Sequence, residues 1–232
     1  LELKWVFGSR VQQGWSLYAP LIRKVIGAET EIESDGFTRS LARWQTSRGL
    51  PATGVVDQQT WAAMVAELQA ARIKDRQCAS SDDLVIAPAS EFYDSERSPE
   101  LRQVDRDAYR AYKRMIAAAA KDRTLNLRTT ESGDLEPDEP LFKIISAFRS
   151  REYQEHLRRS APHAGRAALA VNSPHFTGRA LDLYVGGEPV STRDSNRRIQ
   201  TATAAYKWLV KNASRFGFRP YFFEPWHWEY VP

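Results

Sequence analysis

Ser-Pro-His-Phe-Thr-Gly-Arg-Ala-Leu-Asp-Leu, residues 173–183, changes character halfway along. Over residues 178–185 the side chains alternate, with Ala180, Asp182 and Tyr184 on one side and Leu181, Leu183 and Val185 on the other. That period of two predicts a β-strand. Just before it, Pro174 and Gly178 allow the chain to fold back, so His175 and Asp182 can address a single point despite their separation. The spacing excludes the i, i+4 helical pair of the H-E-x-x-H type. A half-buried strand that carries an acid, set among helical stretches, predicts an α+β domain with a small antiparallel sheet rather than a regular βαβ repeat.

A second phrase, Glu-Pro-Trp-His-Trp-Glu at residues 224–229, holds another of the chain's four histidines. His175, His227 and Asp182 together supply two imidazoles and a carboxylate, with Glu224 as a spare acid. Three protein ligands, an open position and a nearby base are what a hydrolytic zinc centre requires. Residues 219–230 read as an aromatic final strand beside the first one. In a regular strand Glu224 and His227 would face opposite ways, and Pro225 belongs at strand edges or bulges. A bend at residues 224–225 is therefore expected to turn Glu224 inward as a general base. His156 and His163, in a charged helix and a loop, carry no assigned role.

The 232 residues can hold one large domain or two unequal ones. Hydrophobic content of 42% and charged content of 27% are ordinary for a globular chain. No apolar run approaches the ~20 residues of a membrane span. Residues 1–10 lack the layout of a signal peptide, so for an exported protein that segment is taken to be absent. The net charge of +4 comes without any block of like charges, which argues against a nucleic-acid partner. The single cysteine, Cys78, rules out an intrachain disulfide and fits no C-x-x-C ligand pattern. It is expected to be a small buried hydrophobe.

Three helices are expected first. One covers residues 17–28, with Leu17, Leu21, Ile22, Val25 and Ile26 inward. The second covers 36–48, with Phe37, Leu41, Trp44 and Gln45 on one face, Asp35 as its cap and Gly49 as its stop. The third covers 58–74, with Trp61, Met64, Val65 and Leu68 inward and Asp57 as cap. Residues 72–99 read as a linker. Ser98-Pro99 is expected to open a long helix through Val104, Ala108, Tyr112, Met115, Ile116 and Ala119. Residues 141–148 read as a buried strand, and Ser150 caps a helix to residue 159. A helix over 195–216, with Ile199, Tyr206, Leu209, Val210 and Ala213 inward, ends at Gly217.

Two stretches carry family resemblances. Trp44, Gln45, Gly49, Leu50, Pro51, Gly54, Val55, Val56, Asp57, Thr60 and Trp61 resemble the second half of the three-helix peptidoglycan-binding domain, over about residues 8–72. Ser173, His175, Gly178, Ala180 and Asp182 match the Ser-x-His-x-x-Gly-x-Ala-x-Asp pattern of the VanY-type zinc D-alanyl-D-alanine carboxypeptidases. Residues 224–229 are similar to that family's second motif, and residues 148–154 to its upstream Tyr-Arg-Ser-x-x-Tyr-Gln. This second resemblance covers about residues 85–232. It implies His175, Asp182 and His227 as zinc ligands, Glu224 as catalytic base and Arg149 as stabiliser of the carbonyl oxygen. Ser173, Gln154 and Trp226 would meet the substrate. Phe148 departs from the usual Tyr, and residues 162–172 are not the family's typical text.

The expectation is thus an α+β chain: a peptidoglycan-binding helical domain (1–75), a lead-in (76–98) and a catalytic domain (99–232). It would act as a monomer in the periplasm or cell wall and remove the terminal D-alanine of peptidoglycan stem peptides. A zinc endopeptidase cutting elsewhere in the stem or cross-link, and a non-catalytic wall-binding protein with structural zinc, are the alternatives.

Overall fold

The computed structural model describes residues 2–7, 10–160 and 170–232. They fall into two units, Leu1–Ala71 and Arg72–Pro232. The architecture is α+β, with seven α-helices and small antiparallel sheets among the described residues. Among the described residues no helix is long and apolar enough to cross a membrane.

The first unit opens with a hairpin that the sequence reading did not anticipate. Strand β1 (Lys4–Phe7) pairs antiparallel with β2 (Arg10–Gln13), Trp5 opposite Gln12. Each strand has four residues, too few for alternation to stand out, and Val6 and Val11 point outward while Trp5 is buried. Helix α1 (Ala19–Ile26) is shorter than expected because Ser16–Tyr18 forms a 3-10 turn and Gly27 takes the left-handed conformation. Helix α2 (Asp35–Ser47) is capped by Ser34 rather than Asp35: the Ser34 Oγ accepts from the Phe37 N–H at 3.1 Å. Helix α3 (Gln58–Ala70) has the expected cap, with Asp57 accepting from the Thr60 N–H at 2.8 Å, but stops short of residue 74. Phe37, Leu41, Trp44 and Gln45 are all buried, whereas Val65 and Leu68 are only half-buried.

Gln45 explains the Gly-Val-Val-Asp connector. Its amide nitrogen donates to the Thr60 hydroxyl (2.9 Å), the Val55 carbonyl (3.0 Å) and the Thr53 hydroxyl (3.2 Å). Its oxygen accepts from the Gly54 N–H at 2.8 Å. Gly54 has φ +65°, and a Cβ there would lie 2.5 Å from the Thr38 methyl, so both conformation and space demand glycine.

In the second unit, residues 76–98 do not form a linker. Strand β3 (Leu84–Ile86) pairs with β4 (Gln103–Asp105), and Ala87 and Phe92 are buried in the core. Pro99–Arg102 is a 3-10 turn, and the expected long helix begins only at α4 (Arg106–Ala120), where Asp105 accepts from the Asp107 and Ala108 N–H groups. Val104 fits the helical spacing by coincidence: it is buried from β4 into the same core.

The expected strand over 141–148 is paired only as β5 (Ile144–Ser146). It is followed by α5 (Arg151–Ser160), with Ser150 accepting from the Tyr153 N–H as anticipated. Next comes β6 (Ala180–Leu183). The helix expected over 195–216 is broken into α6 (Asp194–Ala202), α7 (Ala204–Asn212) and a 3-10 turn, Ala213–Phe216. Thr203 is extended and its hydroxyl accepts from the Tyr206 N–H, restarting the helix in a new register. Ile199 is consequently 58% exposed rather than inward. The aromatic C-terminus is a hairpin, β7 (Phe218–Pro220) and β8 (His227–Tyr230), rather than one strand. The sheet order is β5-β6-β8-β7, all antiparallel. Cys78 is exposed, contrary to expectation.

Candidate active site

Sheet register brings the donors together. Ser146 of β5 pairs with Asp182 of β6, and Asp182 pairs with His227 of β8, so three adjacent strands align these side chains. His175 arrives from a 3-10 turn, Pro174–Thr177, which begins at Ser173 and ends at Gly178 with φ +67°. A Cβ at Gly178 would lie 2.8 Å from the Asp105 backbone nitrogen, and the Gly178 carbonyl accepts from that same N–H at 3.1 Å. Glycine thus lets the turn close against β4 and aim His175 at Asp182.

The ligand atoms of His175, Asp182 and His227 lie within 4.8 Å of one another, and all three residues are buried. His175 Nε2 is 3.3 Å from Asp182 Oδ2, and His227 Nδ1 is 2.9 Å from Asp182 Oδ1. The outer ring nitrogens are tied elsewhere. His175 Nδ1 is 2.6 Å from the Ala147 carbonyl, and His227 Nε2 is 3.1 Å from Glu229 Oε1. A carbonyl only accepts, so the His175 hydrogen sits on Nδ1 and its Nε2 lone pair faces inward. Two nitrogens and one carboxylate oxygen, each oriented from behind, form a donor set suited to zinc.

Glu224 lies in the turn between β7 and β8, where its N–H donates to the Tyr221 carbonyl (3.2 Å) and its own carbonyl accepts from the His227 N–H (3.0 Å). The expected bend is therefore present, as part of a longer turn. The carboxylate is buried, and Oε1 has no hydrogen-bond partner among the described residues. An unpartnered buried oxygen is costly for folding alone, so this atom is available for a reacting group.

Electrostatics separate the groups. Burial, reinforced by the Arg149 charge, pushes His175 down to about 4, leaving a neutral imidazole. Burial opposes the charge on His227, but hydrogen bonds to Asp182 and Glu229 outweigh it and raise the group to about 9. Burial would raise Asp182 also, yet His175, His227 and Arg149 hold it well below the carboxylate range. Glu229 is held at about 2, where His227 and Arg72 overcome its burial. Glu224 is pushed up to about 7, mainly by burial. That is where a general acid or base works best at neutral pH.

Arg149 donates to Ser146 Oγ (2.9 Å), Gln154 Oε1 (3.4 Å) and Asp182 Oδ2 (2.7 Å). Three of the five guanidinium N–H groups are thus engaged by described residues, and two are left among them. The cleft around these groups measures about 590 Å³, with His175, Asp182, His227, Glu224, Arg149 and Trp226 in its lining. Ser173 also lines it, while its Oγ accepts from the His175 N–H at 3.3 Å. Gln154 is buried between Arg149 and the Ala170 carbonyl, to which it donates at 3.0 Å. His156 is exposed on α5, and His163 lies outside the described residues, as does most of the atypical stretch 162–172.

Three supporting residues were missed from sequence. Glu229 had a readable signal, since it follows His227 by two on a strand and so shares its face. Arg72 had none, being 157 residues from Glu229, which it meets. Nor had Arg197, 26 residues from the Phe223 carbonyl to which it donates at 3.1 Å. Arg197 is almost wholly buried and stacks 4.1 Å above the Phe223 ring, bracing the residue next to Glu224.

Two imidazoles and a carboxylate beside an unpartnered acid, in an open cleft of an α+β domain, define the chemistry of a hydrolase. Residues 101–232 match the VanY family, described as D-alanyl-D-alanine carboxypeptidase, and residues 22–64 match a putative peptidoglycan-binding domain. The first match spans more than half of the chain, and the chain belongs to the VanY family. It is a peptidase that acts on peptidoglycan. No curated protein matches it.

Proposed function

We propose that the chain is a zinc-dependent D-alanyl-D-alanine carboxypeptidase that removes the terminal D-alanine of peptidoglycan stem peptides in the periplasm or cell wall. The observation that carries this reading is the buried His175–Asp182–His227 set next to the unpartnered Glu224 Oε1. These three residues would hold zinc, which supplies a Lewis acid for the scissile carbonyl and makes water more acidic. Glu224 takes a proton from the attacking water and returns it to the leaving amine nitrogen. The free N–H groups of Arg149 stabilise the negative charge growing on the carbonyl oxygen. Ser173 and Trp226, at the cleft wall, contact the peptide, and Gln154 keeps Arg149 in place. Residues 1–75 hold the chain on its polymeric substrate and raise the local concentration of stem peptides. The catalytic domain over 99–232 is completed by the lead-in that packs with it.

The test is product analysis on a defined stem pentapeptide with zinc-loaded and chelated protein. Free D-alanine, released only by the zinc-loaded form, is the expected result. Internal fragments without D-alanine would make the chain an endopeptidase, and equal activity after chelation would remove zinc from the reaction.

A further inference from the structure

The stretch that matches the VanY family begins at residue 101, yet residues 72 and 73 reach the candidate ligand His227 through a single intermediary. That intermediary is Glu229, whose side chain is 0% exposed. Its Oε1 accepts from Arg72 Nε at 2.9 Å and also from Arg72 Nη2. Its Oε2 accepts from the Ile73 N–H at 2.7 Å. The same Oε1 lies 3.1 Å from His227 Nε2. Arg72 is itself fixed, with its guanidinium carbon 3.8 Å from the centroid of the Tyr221 ring at the start of the Glu224 turn.

A carboxylate fully removed from water stays ionised only when charge and hydrogen bonds replace the lost solvent. Here the replacement comes from Arg72 and the Ile73 backbone. Glu229 in turn engages His227 Nε2, which leaves Nδ1 directed at Asp182. A ring held this way needs no reordering when a metal arrives, and such outer partners govern metal affinity. If Arg72 were lost, Glu229 would be a buried charge short of partners, and its hold on the ring would weaken.

We propose that Arg72, together with the Ile73 N–H, is a positioning residue of the metal centre that acts through Glu229 to orient His227. Arg72 is the first residue after the N-terminal unit, so the segment leaving that unit also supports the centre. The proposal rests on the reading of His175, Asp182 and His227 as zinc ligands.

The experiment measures zinc affinity of the full chain by competition with a chromophoric chelator, for wild type, Arg72→Ala, Arg72→Lys, Glu229→Gln and the double variant Arg72→Ala/Glu229→Gln. Thermal unfolding in excess chelator reports folding separately. Arg72→Ala is expected to weaken zinc binding about ten- to a hundred-fold, with Arg72→Lys recovering most of the loss. Adding Arg72→Ala to Glu229→Gln should weaken binding no further, since the path through Glu229 is already cut. Should Arg72→Ala not fold, Arg72→Lys and Glu229→Gln carry the test, each expected to weaken zinc several-fold with a folded apo-protein. Wild-type affinity in the folded Arg72 variants, or additive losses in the double variant, would overturn the proposal. A wild-type chain that binds no zinc would instead overturn the metal reading beneath it.

Discussion

Each unit buries a polar cluster, and the two clusters are built on opposite terms. In the first unit Gln45 is fully buried, neutral and saturated, its oxygen and nitrogen engaging Gly54, Val55, Thr53 and Thr60. In the second unit Asp182 and His227 are charged beside a neutral His175, Glu224 is poised to change its charge, and Glu224 Oε1 is left without a partner among the described residues. Saturated polar networks fix a fold, whereas a cluster with an open position keeps free energy in reserve for a ligand. The contrast separates a polar group that holds structure from one that awaits chemistry, although both occur within family motifs.

The largest expected effect probes the open cluster. Glu224→Gln keeps the volume but cannot accept a proton, and activity should fall about 10³-fold. Zinc binding should persist, and thermal stability should hold or rise, because a buried carboxyl without a partner is a burden to the fold. A Glu224→Gln protein with wild-type turnover would end the distinction drawn between the clusters. Gln45→Ala should do the reverse. It strands the Gly54 N–H and takes one of the donors from the Val55 carbonyl, which keeps the Asp57 N–H, lowering the stability of the first unit by about 3 kcal/mol. Turnover of a soluble peptide should be unchanged. Hydrogen exchange at amides of α2 and α3 measures the loss, and full protection in the variant would show that the network is dispensable.

Arg197→Met comes next. It retains bulk but removes the donor to the Phe223 carbonyl and the stacking cation. Glu224 should drift, costing about ten-fold in turnover, with zinc content unaltered. A parallel loss of zinc would mean that Arg197 supports the whole sheet rather than the turn.

Legibility followed the same division. The grouping of His175, Asp182 and His227 was readable because His, Asp and Glu in a strand-and-turn spacing have few uses, and sheet register sets Asp182 opposite His227. The Gln45 network, Thr53 apart, lay within the motif residues, but its bonds depend on a loop closing over a helix. Arg72 and Arg197 were invisible because their partners lie far away in sequence. Local misreadings had local causes. Val104 continued a helical period while lying in β4, and Thr203 interrupts a helix without any Gly or Pro to announce it.

The smallest effect sharpens the saturated side. The Asp57 carboxylate caps α3 by accepting from the Thr60 N–H, and the Thr60 hydroxyl accepts from Gln45. Asp57→Ala should cost about 1 kcal/mol of first-unit stability. The bond from the Thr60 N–H, followed by that from its hydroxyl, holds the Asp57 pKa below its ordinary 3.8. Its contribution is therefore complete above that value and is lost as pH falls through the lower folded value. The wild-type advantage over Asp57→Ala should narrow in acid and be constant from pH 5 to 8. If Thr60 links the cap to the network, Asp57→Ala will cost less in a Gln45→Ala background than alone. Strict additivity would mean that cap and network stabilise the unit independently, and that the saturation of Gln45 does not extend to the helix end beside it.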